Sequence, residues 1–196
     1  MDVLGALFIS KGLVVLVRVD LTVMEQKPFG YQGSFDPKIT SEIAGHLQSG
    51  DDLSAVLRMH IHCEALLNNI LSQKFSISKL DKMMFFCKYT RAHELGYIDY
   101  QLFESLKGLN DLRNDFCHEV SVYRLTKAND DELPPLLPDS AYQSYLLGVE
   151  AWKYYEISKH PGYHTRMFMM ALWGELMSIS VQIEIAIRRK LTEPTQ

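Results

Sequence analysis

Residues 99–120 read DYQLFESLKGLNDLRNDFCHEV. Leu102, Leu106, Leu109, Phe116 and Val120 fall at steps of four, three, seven and four residues, which brings them to one side of an α-helix capped by Asp99. Asn110, Asp111, Asn114, Asp115 and His118 fall away from that stripe, with Asp111, Asn114 and His118 stacked at steps of three and four. Arg113 lies on the flank, and its long side chain can swing towards the polar side. One helix thus offers a core-facing stripe and an edge where a guanidinium, an amide and an imidazole can meet.

The helical period continues on both sides. Ile39–Gln48 reads as a short helix stopped by Gly50. Asp51 or Asp52 caps the next, whose apolar stripe is Leu53, Val56, Leu57, Ile61, Leu67, Ile70 and Leu71 and which ends near Phe75. Ser78-Lys79-Leu80-Asp81 reads as a capping box opening a helix through Met84, Phe85 and Tyr89 to Leu95, where Gly96 stops it. Beyond the central helix, the acidic and proline-rich stretch Lys127–Ser140 reads as an ordered excursion or a mobile loop, with Asp130, Asp131 and Glu132 in solvent. A tyrosine-rich helix, Ala141–Ser158, is broken by His160-Pro161-Gly162. The last helix, Tyr163–Leu191, buries Phe168, Leu172, Leu176, Ile179, Ile183 and Ile187, and carries Arg188, Arg189 and Lys190 where the helix dipole is negative. The expected fold class is all-α, a bundle of five to six helices over residues 38–192, with a tail at 193–196.

Residues 1–37 differ. Val17–Val23 alternates apolar and polar in the strand period, and Lys11-Gly12 can turn a hairpin from Leu7–Ser10 into Leu13–Val23. Such a hairpin would have no sheet to join, so a natural start at Met24, with a non-native leader before it, is the other reading. Lys27–Lys38 holds Pro28, Gly30, Gly33 and Pro37 and reads as an extended linker.

The 196 residues are 47% hydrophobic and 22% charged, with a net charge of -4. That balance fits one globular domain and disfavours broad charge-neutralising contact with nucleic acid, although a local basic pocket is compatible with it. The three cysteines, Cys63, Cys87 and Cys117, show no framework spacing and read as free thiols in a reducing compartment. Lys11, Arg18 and Asp20 interrupt the apolar stretch Val3–Val23, which argues against a membrane span there. A cytoplasmic location, with no membrane, is expected. His60, His62 and Cys63 lack the spacing of a metal site, and no metal or cofactor is expected.

The chemistry open to Arg113, Asn114 and His118 is phosphodiester cleavage without a metal. An imidazole moves protons near neutral pH, a guanidinium holds two phosphate oxygens, and an amide orients either. Glu64 or Asp111 would orient these groups from behind. A single histidine is a small toolkit, and a two-fold dimer would supply a second.

Arg113-Asn114-x-x-x-His118 resembles the Arg-polar-x-x-x-His motif of the HEPN superfamily. The helix opening Gly96-Tyr97-Ile98-Asp99 and the preceding Glu64-Ala65-Leu66-Leu67-Asn68 look like the mannitol operon repressor family, a HEPN-like group. So do the Asp130–Pro138 stretch and Met169, Ala171, Leu172, Glu175 and Leu176, so that the resemblance covers roughly residues 40–191. It implies a compact helical bundle and a homodimer whose Arg and His face their copies. It also implies a metal-independent endoribonuclease of toxin or defence type that leaves a cyclic phosphate end. HEPN toxins paired with nucleotidyltransferase antitoxins carry a Tyr two residues after the His, where this chain has Val120, the nearest tyrosine being Tyr123. The repressor-like group implies the alternative, a non-catalytic regulator of transcription acting through a protein partner. Direct DNA binding is not expected, because no helix-turn-helix with a basic recognition helix is visible.

Overall fold

A computed structural model describes residues 7–10, 13–16, 37–48, 51–118, 122 and 124–192. The body of the chain is all-helical. Its helices are α1 (Pro37–Gln48), α2 (Asp52–Leu71), α3 (Ile77–Leu80), α4 (Phe85–Glu94), α5 (Tyr100–His118), α6 (Lys127–Glu132), α7 (Asp139–Trp152) and α8 (Tyr163–Thr192). Two 3-10 turns, Pro134–Leu136 and Glu156–Lys159, flank α7. At the N-terminus the strands β1 (Leu7–Ser10) and β2 (Leu13–Leu16) pair antiparallel, Leu7 opposite Leu16, and join no further strand among the described residues. Residues 17–36, the tail 193–196, Val120 and Tyr123 lie outside the described residues, and with them a start at Met24 and most of the expected linker.

Helix α2 is the hub. It packs against α8 on one side and against α4 and α5 on the other. Asp51 caps it, accepting from the Ser54 N–H at 3.1 Å. Its buried positions are Asp52, Ala55, Val56, Met59, His60, Cys63, Leu66, Leu67, Ile70 and Leu71, a continuous helical period. The expected stripe holds at Val56, Leu67, Ile70 and Leu71, which are buried, and fails at Leu53 and Ile61, which are 41% and 61% exposed. Two polar residues, Asp52 and His60, occupy the inward positions that apolar periodicity could not assign.

Other expected boundaries are corrected. The helix expected from Ser78 to Leu95 is two helices, because α3 ends at Leu80 and the chain restarts at Phe85 from an extended Met84. Gly96 ends this segment in the left-handed region (φ 71°), as a helix stop requires. Of the two readings of Lys127–Ser140 the ordered one holds: the stretch contains α6, which opens with a reciprocal capping box between Thr126 and Asn129. Helix α7 ends at Trp152, not Ser158. His164 lies in the first turn of α8 and meets the Tyr145 hydroxyl through Nδ1 at 2.7 Å.

Helix α8 runs through the middle. Tyr163–Arg189 is long and apolar enough to cross a membrane by length and composition alone. In this fold its Phe168, Leu172 and Leu176 are fully buried in the core, and α8 packs against α2 and α7.

A buried polar knot holds these helices together. The Arg166 guanidinium of α8 is inaccessible to solvent. Its Nη1 donates to the Leu47 carbonyl at the end of α1 at 2.6 Å, and its Nη2 to Asp52 Oδ1 in the first turn of α2. Asp52 Oδ2 also accepts from the Leu125 N–H at 2.9 Å. The cation meets the negative end of one helix and the anion the positive end of the next, so both helix dipoles favour the pair. Beside it, Asp130 accepts from the Thr165 N–H (2.7 Å), the Thr165 hydroxyl (2.8 Å) and the Gly162 N–H (3.0 Å). Asp130, expected in solvent, thus caps α8. Gly162 sits at φ +86°, and a Cβ there would stand 2.2 Å from Leu125 Cβ, so only glycine fits.

Removing one partner of a buried ion pair strands the other charge. Asp52→Ala is expected to lower the unfolding free energy by about 3–5 kcal/mol in urea titration. A loss under about 1 kcal/mol, the range of a surface pair, would contradict the role given to the knot.

Candidate functional site

Helix α5 is fixed along its inner face. Asp99 accepts from the Leu102 N–H at 2.7 Å, and Leu102, Leu106, Leu109, Leu112 and Phe116 are buried. The Ser105 hydroxyl, with no accessible surface, donates to the Leu136 carbonyl at 2.7 Å and fastens the outgoing segment to the helix. The remaining edge of α5, bearing Asn110, Arg113 and Asn114, is directed at a polar seam shared with α2 and α4.

That seam has three contributors. From α2 come His60 and Glu64, one turn apart on the same face. From α4 comes Lys88, whose buried ammonium donates to Glu64 Oε1 at 2.6 Å. From α5 come Asn110 and Arg113, both of which act on the His60 imidazole. The His60 ring is only 9% exposed and lies on the Phe85 ring with centroids 4.0 Å apart. Burial pushes its pKa below the ordinary 6.5; the Glu64 carboxylate opposes this, the Arg113 charge adds to it, the Asn110 hydrogen bond opposes it, and the Lys88 charge adds to it. The imidazole is therefore neutral at pH 7. Its Nε2 has no hydrogen-bond partner among the described residues.

The expected site residues are distributed as follows. Arg113 and Asn114 are both half-buried, and Arg113 Nη1 donates to Asn114 Oδ1 at 3.1 Å. His118 is the last residue of α5, exposed, with no hydrogen bond or ion pair among the described residues. Asp111 is exposed on the outer side, where its charge adds to the burial that raises the Tyr89 hydroxyl. Glu64, expected to brace Arg113, has its ion pair with Lys88 instead. The structure thus brings Arg113 to Asn114 and leaves His118 one turn beyond Asn114 without a link to either.

Sequence reading missed His60, Lys88 and Asn110 as members of this seam. The signal was present in part: His60 and Glu64 are four apart on α2, and Asn110 and Arg113 three apart on α5. The pairing of those two edges is tertiary information. No group of three or more His, Cys, Asp or Glu among the described residues is placed to hold a metal ion.

Compared with known proteins, the chain matches no family model, no curated protein and no solved structure.

The neutral His60 has a measurable consequence. Between its lowered folded value and the ordinary 6.5 of the unfolded chain, only the unfolded chain holds the proton. The stabilisation is complete above pH 6.5 and is lost as pH falls through the folded value. His62 on the outer flank of α2, also lowered chiefly by burial, acts with the same sign. The urea midpoint is expected to fall between pH 7.5 and 5.5, and His60→Gln to flatten that fall. An unchanged slope in the variant would contradict the assignment.

Proposed function

We propose that this chain is a HEPN-like protein that acts on RNA as a homodimer, cleaving the phosphodiester without a metal and leaving a cyclic phosphate end. The observation that carries this reading is the state of the donors on α5. Among the described residues, Arg113 is a half-buried cation hydrogen-bonded to a neutral amide, and His118 is exposed without a partner. Both groups are left for something outside the chain, and a phosphate suits them.

In this mechanism His118 of one protomer takes the proton of the ribose 2′ hydroxyl. The freed oxygen attacks phosphorus while the bond to the 5′ oxygen breaks. The leaving oxygen takes a proton from a second imidazole, His118 of the partner subunit. Arg113 stabilises the charge on the non-bridging oxygens, and Asn114 holds its guanidinium in place. The dimer supplies the second imidazole, and among the described residues no contact couples His118 to Arg113. The expected setting is cytoplasmic, as a toxin or a defence protein.

A second reading is a non-catalytic regulator resembling the mannitol operon repressor, acting through a protein partner. The missing link between Arg113 and His118 within one subunit favours it, as does the net charge of -4.

The two readings separate in an RNA cleavage assay in chelator. The nuclease reading expects wild-type cleavage to survive the chelator and to fall at least about 100-fold in His118→Ala and in Arg113→Ala. No cleavage by the wild type, or equal cleavage by the variants, would remove the nuclease. A transcription factor captured without RNA would then support the regulator.

A further inference from the structure

The edge of α2 that meets α4 is covered over only half its length. His60 and Glu64 lie on it, the His60 ring centroid 4.0 Å from that of Phe85 and Glu64 Oε1 2.6 Å from the Lys88 ammonium. Helix α4 therefore begins level with His60 and runs in the same direction as α2. Leu53, Leu57 and Ile61 stand seven residues, about two turns, before His60, Glu64 and Asn68, and so continue the same edge towards the start of α2. This half is apolar and open: Leu53 is 41% and Ile61 61% exposed, and Leu57 is half-buried. Helix α5 borders it. Near its start, the Phe103 ring packs on Tyr89 and on His93 in the body of α4, with centroids 5.2 Å apart in each case. Beyond its end, the chain seven residues after His118 is bound to Asp52 through the Leu125 N–H. Helix α5 thus runs against the direction of α2, and its last turns lie beside the open apolar stretch.

We propose that Leu53, Leu57 and Ile61 form the apolar centre of a two-fold interface with a second copy of this chain, and that this contact sets the two α5 ends against one another. The inference rests on the dimeric site proposed above and names the surface that builds it. A two-fold axis makes a surface meet itself, so each of its features needs a complement on that same surface. The aliphatic stripe is its own complement. The charges on either side of it are complementary too. On the flank of α2 away from α4, Arg58 is exposed and has no ion pair among the described residues. On the flank of α5 away from α2, Asp115 is exposed, two positions from the inward Arg113, and is likewise unpaired among the described residues. One flank is basic and the other acidic, with the apolar stripe between them. The axis sets Arg58 of each copy towards Asp115 of the partner subunit, whereas flanks of one sign would repel their copy. The site also lacks a component within one chain, because Arg113 and His118 share no contact among the described residues. The second copy brings the missing imidazole.

Sedimentation velocity over a concentration series reads this dimer without RNA. The wild type is expected to sediment as a dimer. Ile61→Asp places an unpaired carboxylate at the centre of the interface and is expected to weaken dimerisation at least about 100-fold. Its side chain is mostly exposed in one chain, so the circular dichroism should not change, and Leu53→Asp serves if Ile61→Asp does not fold. Ile77→Asp, at an exposed side chain beyond the other end of α2, is the control and should dimerise as the wild type does. Arg58→Glu is expected to weaken the dimer about tenfold, and Arg58→Glu with Asp115→Arg to restore it. A wild-type monomer, an Ile61→Asp dimer of unchanged affinity, an equal loss in Ile77→Asp or a double variant no tighter than Arg58→Glu would overturn the interface. Cleavage in chelator fails separately. A dimer that Ile61→Asp breaks but that cuts no RNA keeps this surface and removes the nuclease. An Ile61→Asp monomer that cuts RNA at the wild-type rate would overturn the claim that this contact completes the site.

Discussion

The ion pair between Arg166 and Asp52 is the constraint on which the remaining structure depends. It has no access to water, and a buried charge that loses its partner is a large liability. The geometry meets this by using more than the pair. The guanidinium also holds the last turn of α1, and the carboxylate also holds the chain at Leu125. One Nε remains without a partner, so the knot is specific without being fully satisfied. With Asp130 gripping the first turn of α8, the segment that leaves α5 is tied to the start of α8 at two points. Helix α5 is thereby anchored through its inner face and through the chain that follows it, and its outer edge is held against α2 and α4.

That edge shows a division of labour among charges. Glu64 and Lys88 neutralise one another, which removes Glu64 from the service of Arg113. Arg113 turns to the Asn114 amide, a partner that orients a guanidinium without cancelling its charge. His60 is held neutral beneath them. The arrangement keeps a cation available at a half-buried place, as an anion site needs, and leaves an exposed imidazole at the helix end. Among the described residues one chain supplies no contact between the two, and this makes the second copy part of the functional proposal.

The elements most legible in the sequence were those built from local rules. The Asp51 and Asp99 caps, the Gly96 stop and the inner face of α5 all follow from spacing and side-chain chemistry. On helix α2 the apolar period places Val56, Leu67, Ile70 and Leu71 correctly and fails at Leu53 and Ile61, because the core accepts Asp52 and His60 through partners far away in the chain. Asp130 read as solvated for the same reason: its three donors lie more than thirty residues on. The capping box of α6 uses asparagine in its third position, where glutamate or glutamine is the usual signature, so the residues announce no helix there. At the site, the Arg113–Asn114 edge was legible from one helix, whereas the role of Lys88 required knowing that α4 lies against α2.

The proposal that two copies of α5 complete one site is tested most directly at Cys117, an exposed thiol one turn beyond Arg113 and next to His118. With Cys63 and Cys87 replaced by alanine, a short bismaleimide should join two copies through Cys117 in high yield, and His118→Ala should not prevent it. A chain that sediments as a monomer, or a dimer whose Cys117 thiols stay unlinked, would contradict a site shared across α5.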